Sequence, residues 1–61
     1  MSKSPTPKQI TRARAYAGLT QREAASLMLV TVKGYQHWEY GVRAMHPAMW
    51  ELFQIKLEKK L

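Results

Sequence analysis

Apolar and small side chains recur along the chain in short bursts at helical spacing, and residues suited to cap a helix open the bursts. Thr6, Pro7 and Gln9 open the first one. The threonine hydroxyl can accept from the first turn, proline suits the first helical position, and Gln9 can reach back to complete a capping box. Ile10, Ala13 and Ala17 give this segment an inner face, Lys8 and Arg12 lie outward, and Gly18 ends it. Thr20 and Glu23 repeat the capping box and predict a second helix from about Gln21 to Met28. Thr31 opens a third from about Val32 to Tyr40, and Gly41 can close it in a left-handed conformation.

Almost nothing separates the second and third segments. Ala24, Met28, Val30, Tyr35 and Trp38 are spaced to lie on facing sides of two crossed helices, and Ala24 and Ala25 are small enough to let them approach closely. This is the pattern of a helix-turn-helix, in which the second helix is offered to the DNA major groove. Tyr35 and Trp38 form the buried side of that helix, and core packing is favoured over base stacking for both. Val32, Lys33, Gln36 and His37 lie on the other side. Lys33 can donate to guanine O6 and N7, Gln36 can pair with adenine, Val32 can meet a thymine methyl, and His37 can donate to a base or a phosphate. Gly34, inside the helix, costs roughly 1 kcal/mol against alanine. It marks either a close approach of DNA backbone or a tolerated defect.

A last helix is expected from Pro47 to about residue 60. Met49, Leu52, Phe53 and Lys56 make one stripe that can close the core against Tyr35 and Trp38. Trp50, Leu57 and Leu61 make a second stripe, either a homodimer contact or a wrap onto the first helix. Residues 1–5 read as a flexible, slightly basic tail. The domain then covers 6–61, with the motif at about 20–41.

Leu19-Thr20-Gln21, Glu23-Ala24-Ala25, Val30-Thr31, Trp38-Glu39 and Gly41 resemble, without a gap, the lambda-repressor and Cro type of helix-turn-helix domain, the XRE family. The likeness extends more loosely from Ile10 to about Phe53. It implies an all-α bundle of four to five short helices. It also implies that Arg14 pairs with Glu39 to brace the first helix against the third, and that Gln21 contacts a DNA phosphate. By the same likeness Val32, Lys33 and His37, with Gln36 nearby, occupy the base-reading positions, and Arg43 meets the DNA backbone. Arg22 and the Tyr40 hydroxyl are further candidates for phosphate contact. In one place the chain departs from the family: Leu29 stands where the turn usually has glycine. Leucine enters the left-handed region only at a cost, so the second helix is expected to run on slightly before turning.

Charge strengthens the nucleic-acid reading. Ten lysines and arginines against four acids leave a net charge of +6 on 61 residues, which favours a polyanionic partner. The length allows one small domain, and the lack of cysteine leaves neither disulfides nor a thiolate metal site and fits a reducing cytoplasm. No apolar run approaches the ~20 residues of a membrane span, and the polar start is unlike a signal peptide.

Candidate catalytic chemistry is sparse. His37 and His46 are separated by neither zinc-ligand nor active-site spacing, no two glutamates make a dyad, and no glycine loop suits a phosphate. The expectation is a protein that is not an enzyme and takes no cofactor or metal. The reading that follows is a cytoplasmic, sequence-specific regulator of transcription, Cro-like or a repressor of a phage or mobile element. It would bind double-stranded DNA as a homodimer on a palindromic operator. The alternative is an antitoxin-like module with secondary DNA binding, whose partner surface would be Leu27, Leu29, Trp50, Leu57 and Leu61. A nonspecific architectural binder is disfavoured, because neither long basic arms nor an intercalating wedge is evident.

Overall fold

A computed structural model describes residues 3–60, which form four helices: α1 (Pro7–Tyr16), α2 (Gln21–Leu27), α3 (Val32–Glu39) and α4 (Pro47–Lys60). The protein is all-α, and α2 and α3 make the helix-turn-helix. No helix among the described residues is long and apolar enough to cross a membrane.

The helix starts follow from local chemistry. Thr6 and Thr20 each accept from the backbone three residues on, at 3.1 Å, while Gln9 and Glu23 return a 2.8 Å bond to the cap backbone. Thr31 caps α3 through Gly34 N–H at 3.1 Å, and Gly34 has no side chain to reciprocate. A Cβ at Gly34 would sit 3.1 Å from the Thr31 hydroxyl, a tight contact within the cap itself. His46 caps α4, its Nδ1 accepting from Ala48 N–H at 3.0 Å.

The first three helices all stop in the same way. Leu19, Val30 and Val42 donate back to the carbonyls of Arg14, Ala25 and His37, which is the long bond of a Schellman motif. The residue before each of them is left-handed: Gly18 at φ 73°, Leu29 at φ 59° and Gly41 at φ 77°. This corrects the expectation that α2 runs on. It ends at Leu27, and Leu29 takes the glycine-like conformation with its side chain 86% exposed.

The core gathers around Tyr35, which is fully buried with Ile10, Ala24, Met45 and Phe53. Trp38 and Phe53 meet the Tyr35 ring edge-on at centroid distances of 5.9 and 6.0 Å. The two alanines of α2 are buried, so α2 and α3 lie close, and α1 packs on both α3 and α4.

The last helix corrects the stripe assignment. Leu57 is buried in the core, and Trp50 packs against it beside Phe53. These two residues therefore do not form a free dimer contact, nor, with half-buried Leu27, an antitoxin-like partner surface; Leu61 lies outside the described residues. Leu52, expected inward, is 40% exposed. The tail also needs revision, because Pro5 is buried and lines a hollow with Pro7, Trp38, Gly41 and Met45. Ordered packing thus begins before Thr6.

Candidate nucleic-acid interface

The α3 backbone is held from behind by a bidentate ion pair. Arg14 Nε donates to Glu39 Oε2 at 2.6 Å and Nη2 to Oε1 at 3.2 Å, while Nη1 donates to the carbonyl of Leu19 at 2.9 Å. One guanidinium thereby joins α1, the loop after it and the last turn of α3. The Glu39 side chain is 3% exposed and that of Arg14 19%. The hydrogen bond from Glu39 raises the Arg14 pKa above its usual value, with burial opposing it. Burial works to raise the Glu39 carboxyl, but the hydrogen bond from Arg14 and the adjacent Tyr35 hydroxyl and Gln21 amide outweigh it, and the carboxyl is lowered. The Tyr35 hydroxyl, enclosed beside this pair, reaches no partner in hydrogen-bonding geometry. Burial first, then the Glu39 carboxylate, pushes its pKa up.

Val32, Lys33, Gln36, His37 and Tyr40 share the side of α3 away from Tyr35 and Trp38, as helical spacing requires. They are unequally available. Lys33 is exposed, Gln36 and His37 are half-buried, and Val32 packs partly against the core. Tyr40 is 64% exposed at the carboxyl end of α3. Arg22 on α2 and Arg43 in the loop after α3 are both exposed, one on each side of the helix-turn-helix.

Gln21 departs from the expected role. Its Nε2 donates to Glu39 Oε1 at 3.0 Å and to the Tyr40 hydroxyl at 3.3 Å, so both amide hydrogens are committed inside the protein. Its oxygen accepts from Gln36 Nε2 at 3.0 Å. In this arrangement the side chain has no donor left for a phosphate. The first backbone N–H groups of α2 and the neighbouring Arg22 remain as anion donors at that end.

Two connections were missed by reading the residues singly. Lys56 was grouped with an apolar stripe, yet its ammonium donates to the Leu27 carbonyl at 2.8 Å. Gln36 was assigned to bases alone, although it is bonded to Gln21. A helix end without a basic residue in its last turn, as in α2, was the available hint that a cation from elsewhere would serve it.

No family model matches the chain. Among curated proteins it is similar to the type II methyltransferase M.MspI of Moraxella sp, with 36% identity over 55 residues. The match covers 90% of this chain and 13% of the relative, so the chain spans a small part of that protein's length. This finding corrects the expectation of a protein unconnected with enzymes: the relative is an enzyme, and the lack of a catalytic set in 61 residues does not exclude an enzymatic setting.

Proposed function

We propose that this chain is a sequence-specific DNA-binding unit of the XRE type that regulates transcription, binding a palindromic operator as a homodimer in the bacterial cytoplasm. The observation that carries the reading is the braced α3. A helix fixed by the Arg14–Glu39 pair offers Lys33, Gln36 and His37 on one side, with exposed Arg22 and Arg43 flanking it. A net charge of +6 supplies the sequence-independent attraction to phosphates. Lys33, Gln36 and His37 would read base edges, with Val32 adding an apolar contact, while Arg22, Tyr40 and Arg43 set the register. The contribution of Gln21 would be to hold neighbouring side chains.

Selection of bound DNA from a random duplex library, followed by affinity against salt, tests this. A palindromic consensus bound far above background is the expected result. Weak, uniform binding with a steep salt slope would refute sequence-specific reading.

The similarity to a segment of a methyltransferase favours a second setting for the same unit. In that setting the helix-turn-helix is one segment of a longer methyltransferase, or works beside one, and supplies a DNA contact. Sequencing the transcript that carries this chain separates the two: a continuous methyltransferase reading frame supports the second, and its absence from the transcript supports a free-standing regulator.

A further inference from the structure

The hydrogen bonds behind α3 run in one direction through two side-chain amides. An ionised carboxylate can only accept, and Glu39 is paired with Arg14. The Gln21 amide therefore turns its NH2 group to Glu39 Oε1, at 3.0 Å. Its oxygen is then directed to Gln36, whose Nε2 donates to it at 3.0 Å. A half-turn of either amide would set oxygen against oxygen. The Tyr40 hydroxyl, 3.3 and 3.4 Å from the two ends of the Gln21 amide, can donate or accept and so does not oppose this order. What remains of Gln36 is Oε1. Among the described residues it has no hydrogen-bond partner, and it is not enclosed.

A free glutamine is ambiguous as a reader, because a flip of its amide exchanges donor and acceptor. Here the ambiguity is removed from behind. We infer that Arg14, Glu39 and Gln21 form a polarity relay that makes Gln36 a specificity-determining acceptor. It selects, in the major groove, a base with an exocyclic amine, adenine N6 or cytosine N4, over the keto groups of guanine and thymine. The inference rests on the DNA-reading role proposed above. Gln21 is the positioning residue, and Gln36 makes the contact.

The test uses the whole chain and a random duplex library. The position read by Gln36 is the one whose preference disappears in Gln36→Ala. At that position the wild-type chain should favour amino-bearing bases on the order of tenfold, the size of one good base contact. Gln21→Met, which keeps the side-chain length and removes the amide, should level that preference while leaving the other positions of the consensus intact. The double variant Gln21→Met/Gln36→Glu should restore it, because a carboxylate presents acceptors whichever way it turns. A purely structural role for Gln21 would not be rescued in this way. Thermal unfolding of each variant shows whether it is folded; should Gln21→Met not fold, Gln36→Glu alone should keep the amino preference. A keto preference at the Gln36 position, no position sensitive to Gln36→Ala, or an unchanged preference in folded Gln21→Met would overturn the relay while sequence-specific binding stood. Binding with no consensus at all would instead remove the DNA-reading role beneath it.

Discussion

The ammonium of Lys56 donates to the carbonyl oxygen of Leu27 across 2.8 Å, joining α4 to the carboxyl end of α2. That end carries carbonyls with no partner inside α2 and no basic residue of its own in the last turn. The bond thus satisfies a helix end and attaches the last helix to the helix-turn-helix. A partly buried, charge-assisted bond of this kind contributes ~1–2 kcal/mol. Lys56→Met keeps the stem and loses the bond, so its urea midpoint should fall by a corresponding amount. An unchanged midpoint would show that water serves the Leu27 carbonyl equally well.

Leu29 has φ 59° in a turn where Gly18 and Gly41 do the same work at the ends of α1 and α3. The left-handed conformation costs a leucine ~1–2 kcal/mol. Its side chain is 86% exposed, so little burial compensates. Leu29→Gly removes the strain but increases the freedom of the unfolded chain, a loss of about 0.4–1 kcal/mol. The net expectation is a variant more stable by about 0.5–1 kcal/mol in equilibrium denaturation. Destabilisation would mean that the leucine makes an apolar contact in solution.

These two sites also show where sequence reading succeeds and fails here. The three threonine caps were legible because a cap is local: hydroxyl, backbone N–H and reciprocating side chain lie within four residues. The stop at Leu29 was not, since nothing local makes leucine left-handed. It is imposed by the Val30 and Leu29 bonds back to Ala25 and Ser26 and by the packing of α2 on α3. In α4 the periodicity showed which residues share a face, but not which face is inward. Trp50 and Leu57 proved to be core, and Leu52 is turned partly to solvent. For Gln21 the position was read, but the direction of an amide depends on neighbours brought together only by the fold.

The Arg14–Glu39 pair should respond asymmetrically to substitution. Glu39→Gln leaves a guanidinium facing a neutral group in a mostly enclosed site, and should cost about 2–3 kcal/mol, near the lower end for a broken buried pair because Arg14 retains some exposure. Replacing both residues with methionine should cost less than that. Acid behaviour follows from the lowered carboxyl. Its stabilising effect is complete above the ordinary value of 4.5 and is lost as pH falls through the lower folded value. Urea midpoints measured from pH 6 downward should therefore fall more steeply below pH 4.5 for the wild-type chain than for Glu39→Gln. Parallel curves would remove Glu39 from the acid response.

Tyr35 combines a fully buried ring with a hydroxyl lacking a well-formed hydrogen bond. Tyr35→Phe keeps both edge-on ring contacts and removes the unpaired group, so stability at pH 7 should be unchanged or rise by up to about 1 kcal/mol. The raised pKa means that the folded state holds the neutral phenol. That part of the stability is intact below the ordinary value of 10.0 and is lost as pH rises above it. Alkaline denaturation should consequently begin later in Tyr35→Phe. A large loss of stability at pH 7 would instead identify the hydroxyl as a needed donor to Glu39.

The two sides of the proposed interface should separate in binding experiments. Arg43 is exposed in the loop after α3, where a guanidinium can meet a phosphate but does not lie on the face presented to base edges. His37 is half-buried on that face, beside Gln36. Arg43→Ala should weaken binding to cognate and scrambled duplexes alike and reduce the salt slope by about one phosphate contact. His37→Ala should lower cognate affinity by roughly 1–3 kcal/mol, leave scrambled binding nearly unchanged, and relax the preference at one position of the consensus. Titration of both variants on both duplexes at several salt concentrations gives the comparison. Equal losses on the two duplexes for both variants would mean that His37 serves the backbone, and base reading would then fall to Lys33, Gln36 and Val32.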